Sequence, residues 1–281
     1  MPRILNTSEL IPVIAGLAKK ACYELDDNFM EALRDAEKKE ESPYGRDTLR
    51  LLIENAQYAK KEQIACCHDT GSCVVIMEIG QEISWEGMPF FDAVNEGVRR
   101  GYGEGYLRMS MVRDPLNRDN TGDNTPAILH TELVPGNKVS ITVMPKGGGS
   151  ENMGSFSTLV PAEGAIGVKD FVLKTLEDAG GKTCPPVVVG VGVGGTMDKC
   201  VWIAKKALLR PIGSRSPNPF YSAMEEELLG RINNLGIGPL GMGGRITALD
   251  VHIEYFPCHI TSLPVAVNLQ CHASRHASAE I

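Results

Sequence analysis

Three of the eight cysteines, Cys67, Cys184 and Cys271, stand far apart in the chain, each among turn-forming residues rather than in a short CxxC pair. Their contexts are Ile64-Ala65-Cys66-Cys67-His68-Asp69-Thr70-Gly71, Thr183-Cys184-Pro185-Pro186 and Asn268-Leu269-Gln270-Cys271-His272-Ala273-Ser274-Arg275-His276. Three such thiolates can hold three irons of a cubane cluster and leave the fourth open, and an open iron is a Lewis acid. A structural zinc wants four ligands in short-spaced pairs, and those pairs are missing. On the residues alone, three unrelated buried thiols remain as open a reading as the cluster. Cys22, Cys73 and Cys200 lie in apolar helix or strand patterns and read as core residues, and Cys66 and Cys258 read as structural neighbours of the site.

Other residues carry chemistry only in context. Asp69 can cap its own turn, bind a hydroxyl or move a proton. Arg108 reads as a surface arginine unless a carboxylate is to be clamped, which guanidinium geometry suits. Lys146-Gly147-Gly148-Gly149-Ser150 lacks the spacing of a nucleotide loop, but its glycines let backbone N–H groups form an anion nest. Gly192, Gly194 and Gly195 imitate a dinucleotide fingerprint whose third glycine is replaced by Met197, so close packing is the better reading.

These residues must be positioned by helices that come first and mixed elements that follow. Apolar periodicity predicts helices over 8–22, 29–38 and 46–60, then a buried strand over 73–79 and a helix over 90–102. Further on, strands are expected over 138–143, 187–193, 247–255 and 263–269, and helices over 163–179, 196–209 and 218–234. With no regular βαβ rhythm, the fold class is α+β, N-terminal helices followed by mixed β-sheets flanked by helices, in one domain over 1–281. Lys and Arg number 28 against 35 Asp and Glu, a net charge of −7 with a pI near 5.5. That balance argues against nucleic acid as a partner, while leaving room for an anionic substrate held by a few local cations. No apolar run approaches a membrane span, and the N-terminal run Met1-Pro2-Arg3-Ile4-Leu5-Asn6 has no apolar leader core, so a cytoplasmic protein is expected.

Seven stretches, in order, resemble the alpha (N-terminal) part of the iron–sulfur class I fumarases and L-tartrate dehydratases, over about 47–277. They are Cys67-His68-Asp69-Thr70-Gly71; Leu107-Arg108-Met109-Ser110; Asn120-Thr121-Gly122-Asp123-Asn124-Thr125-Pro126-Ala127; Lys146-Gly147-Gly148-Gly149-Ser150-Glu151-Asn152; Cys184-Pro185-Pro186 with Gly194-Gly195-Thr196; Ala204-Lys205-Lys206-Ala207-Leu208; and Pro257-Cys258-His259 leading to Cys271.

The resemblance implies a 4Fe–4S cluster ligated by Cys67, Cys184 and Cys271 and a C4 dicarboxylate substrate. Asp69 and His259 are implied as catalytic, and His68, Arg108 and Gly148 as substrate-binding. Relatives commonly carry glutamine where this chain has His68. Both can donate to a carboxylate, but histidine titrates near neutrality. His272 and His276 are expected only to support the third ligand; His130 and His252 have no motif support. The base for the C3 proton lies in a C-terminal domain of single-chain relatives, so a separate beta subunit and a hetero-oligomer are expected. Fumarate/L-malate is the first expected substrate and L-tartrate/oxaloacetate the second. A non-catalytic iron–sulfur scaffold or redox sensor would keep the cysteines without needing Asp69, Arg108 and His259.

Overall fold

The computed structural model describes residues 2–281. Met1, with which the N-terminal run and the expected domain begin, lies outside them. In chain order the elements are β1 (Arg3–Asn6), α1 (Leu10–Tyr23), α2 (Asp27–Lys39), α3 (Pro43–Glu62), β2 (Ser72–Gly80), β3 (Ile83–Glu86), α4 (Phe90–Glu104), β4 (Ile128–Val134), β5 (Val139–Lys146) and the single turn α5 (Gly148–Glu151). They continue with β6 (Ser155–Leu159), α6 (Gly164–Ala179), β7 (Val187–Gly194), α7 (Met197–Ala207), α8 (Pro219–Asn233), β8 (Ala248–Phe256), β9 (Leu263–Gln270) and β10 (Ala277–Glu280). The protein is α+β, as expected. Two compact units make up the span: one of residues through Leu25, 55–148 and 275–281, the other of 26–54 and 149–274. No helix of the described residues is long and apolar enough to cross a membrane.

The first unit is built on a four-stranded sheet in the order β10-β5-β2-β4, with β2 parallel to β4 and antiparallel to β5. Strand β2 is apolar on both sides. Cys73, Val75 and Met77 share one face with Val139, Ile141 and Val143 of β5, and that face packs under α1 and α4. The two helices approach closely because α4 offers glycine there: a Cβ on Gly97 would lie 2.8 Å from the Ile14 Cβ. Strands β1, β3, β4 and β10 are short or at a sheet edge and half-exposed, without the apolar run that betrays a buried strand.

The second unit carries a sheet in the order β6-β9-β7-β8. Strand β7 reads Val-Val-Val-Gly-Val-Gly-Val-Gly, and its two faces have different work. Val187, Val189, Val191 and Val193 face the apolar core with α6 and α8. Gly190 and Gly192 face α7, where a Cβ would overlap the Ala204 and Cys200 carbonyl oxygens respectively. Gly192, from the pattern that imitated a nucleotide loop, thus joins Gly190 as a seat for a helix backbone, while a Cβ on Gly194 would overlap the Phe256 carbonyl oxygen of β8.

The same unit buries charge. His252, without motif support in the sequence, is fully enclosed, its ring nitrogens 3.2 Å from the Ala207 carbonyl and 3.1 Å from Asp250 Oδ2. Asp250 also accepts from Arg215 at 2.7 Å and from the Gly213 N–H at 2.6 Å. Burial alone would raise the Asp250 pKa, but His252 and these donors outweigh it and hold the carboxyl below the usual range. Glu40 behaves likewise: burial is outweighed by the N–H groups of Ile246, Arg245 and Ser42.

A carboxyl whose folded pKa is depressed adds stability above its unfolded pKa, about 4, and that stability is lost as pH falls through the folded value. We expect the melting temperature to fall on acidification from about pH 5 to about pH 3, and Asp250→Asn to flatten that fall while lowering stability at neutral pH. Parallel acid limbs for the variant and the parent would contradict this assignment.

Candidate active site

Cys67, His68 and Asp69 lie in the turn joining α3 to β2, and the backbone of that turn is tied down from several sides. The Cys66 carbonyl accepts from Asn55 Nδ2 at 2.8 Å, and the Asp69 carbonyl from Arg275 Nη1 at 2.6 Å. The Tyr102 hydroxyl donates to the carbonyls of Thr70 and Gly71 at 3.0 and 3.2 Å, and Asn124 Nδ2 reaches Gly71 at 3.1 Å. At Gly71 φ is +66° and a Cβ would overlap the Lys146 carbonyl, so only glycine fits. On this frame Cys67 is half-buried and His68 exposed.

The Asp69 carboxylate closes the frame. Its Oδ1 accepts from the Gly71 N–H at 3.1 Å, and its Oδ2 from the Gly148 N–H at 2.8 Å. The glycine turn thus does meet a carboxylate through its backbone, and in this structure that carboxylate is Asp69. Arg108 is exposed; its carbonyl accepts from the Thr70 hydroxyl at 3.1 Å, which seats its segment beside the Cys67 turn. The first unit therefore brings together Cys67, His68, Asp69, Arg108 and Gly148.

The second unit brings Cys184 and Cys271 together. Cys184 ends a 3-10 turn over Gly180–Thr183 in the left-handed region, φ +53°, and is exposed. Its carbonyl accepts both the His272 N–H at 3.2 Å and the ring Nδ1 at 2.9 Å, so that ring nitrogen carries a hydrogen. Cys271, next to His272, is half-buried at the end of β9. His259 lies in the exposed β8–β9 connection. Its Nδ1 lies 2.8 Å from the Thr261 hydroxyl oxygen and accepts from the Thr261 N–H at 3.2 Å.

The other cysteines sort by chemistry. Burial pushes the Cys22 and Cys200 thiols to about 12 and the Cys73 thiol higher still, so these remain protonated core groups. Cys66 is buried, and Cys258 donates to the Ser262 carbonyl at 3.2 Å. Among the described residues no group of three or more His, Cys, Asp or Glu gathers as the ligands of one metal ion must. A cubane makes a different demand, since each thiolate takes a different iron. Cys67, Cys184 and Cys271 each offer an accessible thiol, the soft donor that such irons take.

A family model for fumarate hydratase (Fumerase) matches residues 11–280. The chain belongs to this family. It is accordingly a hydro-lyase. A Methanocaldococcus jannaschii member, whose name gives L(+)-tartrate dehydratase subunit alpha as a provisional assignment, is 44% identical over 275 residues, 96% of each chain. The L(+)-tartrate dehydratase subunits alpha of Escherichia coli strains UTI89 and K12 are each 30% identical, over 98% and 96% of this chain and 91% and 90% of their own.

Sequence reasoning missed the residues that hold the site rather than face it. Asn124, fully buried at φ +59°, joins the Ser110 N–H, through its Oδ1 at 2.7 Å, to the Gly71 carbonyl. It stood in a quoted stretch without a role, as did Arg275. Tyr102 was visible only as the end of a helix.

Proposed function

We propose that the chain is the alpha subunit of a cytoplasmic two-subunit iron–sulfur hydro-lyase that dehydrates L-tartrate to oxaloacetate. The near full-length similarity to relatives named L(+)-tartrate dehydratase subunit alpha carries this reading, and it reverses the substrate order expected from the sequence. Fumarate/L-malate is kept as the second substrate by the family's own name.

In this reading Cys67, Cys184 and Cys271 hold a 4Fe–4S cluster, which when bound supplies a Lewis-acidic iron for the departing hydroxyl. Arg108 clamps one carboxylate of the substrate, and His68, His259 and the Gly148 turn orient the rest by hydrogen bonds. Asp69 manages the hydroxyl that leaves C2 as water, or its proton. The proton lost from C3 goes to a base on the beta subunit, and the enol so formed becomes oxaloacetate.

The test is anaerobic purification of the chain with its beta subunit, rebuilding of the cluster, and assay of oxaloacetate from L-tartrate beside fumarate from L-malate. Oxaloacetate formed with the higher kcat/KM supports the proposal. Faster fumarate formation moves the substrate to malate. Neither product from a complex with its full cluster would favour the scaffold or sensor reading.

A further inference from the structure

Two parts of the quoted stretches that the site has not used, the end of the glycine turn and the last turn of α7, meet in the second unit. The Lys205 ammonium donates to Glu151 Oε1, and Asn268 Nδ2 donates to Glu151 Oε2 at 3.1 Å. The Lys205 side chain is only 11% exposed and that of Glu151 37%, so the pair is shielded from water chiefly at its lysine end. Asn268, 6% exposed, lies on β9 three residues before Cys271. A Cβ on Gly149 would stand 3.3 Å from the Lys182 carbonyl, two residues before Cys184. The short helix α5 therefore ends against the two segments that lead to Cys184 and Cys271. A single helical turn has little orientation of its own and takes it from such tethers.

We propose that Glu151 is a positioning residue for substrate binding: clamped by Lys205 and Asn268, it sets the orientation of α5, and with it the backbone N–H groups of the glycine turn. This rests on the functional reading above. Removing Glu151 takes from the largely buried Lys205 charge its carboxylate partner, and removing Lys205 loosens Glu151, so the two sites act as a unit.

The experiment uses the rebuilt alpha–beta complex carrying Glu151→Gln, Lys205→Met, both together, Lys205→Arg, and Lys174→Met as a surface control. Each of the first two is expected to raise KM for L-tartrate about tenfold, with kcat within about threefold of the parent. The double variant should be no worse than the worse single, and Lys205→Arg should recover most of the loss. Hydrogen exchange should quicken over 148–156 in the damaged variants and stay unchanged in the core around Val172 and Leu228. Lys174→Met should match the parent in both readouts.

Unchanged KM with unchanged exchange in folded single variants would overturn the proposal, as would additive losses in kcat alone. If Glu151→Gln does not fold, Lys205→Met and Lys205→Arg decide by the same two readouts. A parent complex that turns over neither tartrate nor malate overturns the functional reading instead. The exchange data then judge the clamp by themselves: faster exchange over 148–156 supports it and unchanged exchange refutes it.

Discussion

Cys184→Ser is expected to strip iron and sulfide from the rebuilt protein and to lower turnover by more than about a hundredfold, beyond the 10–100-fold typical of losing a group that only supports a metal ligand. A serine oxygen is a hard, weakly acidic donor where iron–sulfur chemistry calls for a soft thiolate. The local fold should survive the change. The Cys184 side chain is exposed, and its backbone is held by hydrogen bonds that serine keeps: its carbonyl accepts from His272 and its N–H donates to Gly181. A loss of cluster without a loss of melting temperature is therefore the signature sought. Cys258→Ser is the matched control, because a hydroxyl can keep the bond that its thiol makes to the Ser262 carbonyl. Normal iron and sulfide in Cys184→Ser would remove this residue from the proposed ligand set.

The second large effect is expected at Asp69. Each of its carboxylate oxygens accepts a backbone N–H, from Gly71 and from Gly148. Asparagine offers only one acceptor oxygen and turns an NH2 group toward the other N–H, which cannot accept it. Asp69→Asn should therefore loosen the Cys67 turn from the glycine turn, at a cost of about 1–3 kcal/mol in stability. It also deletes the group proposed to manage the hydroxyl or its proton, so kcat should fall about 10²–10⁴-fold. Denaturant unfolding and steady-state kinetics on the same preparation separate the two losses. A kcat within tenfold of the parent, with the expected stability loss, would make Asp69 a structural residue of the turn.

Much of the molecule was legible in its residues. The long helices and the strands β2, β5, β7, β8 and β9 have apolar patterns that hold whatever they pack against, because burying a side chain in water-excluded space is decided residue by residue. The reaction class was legible too, since the motifs around the cysteines are short and local, and the family match bears out a hydro-lyase. The edge strands β4, β6 and β10 were not, because a strand paired on one side and wetted on the other needs no apolar run.

Tertiary structure alone decided which residues serve the site from behind. Arg275 reaches back across the chain to the Asp69 carbonyl, Tyr102 and Asn124 meet at Gly71, and Glu151 finds Lys205 and Asn268. It also decided that Gly190 and Gly192 of β7 make room for a helix rather than a phosphate. The physical reason is the same in each case. Residue type limits what a group can donate, accept or fill, but the partner that satisfies it comes from a distant part of the chain, and only folding brings that partner within hydrogen-bond reach.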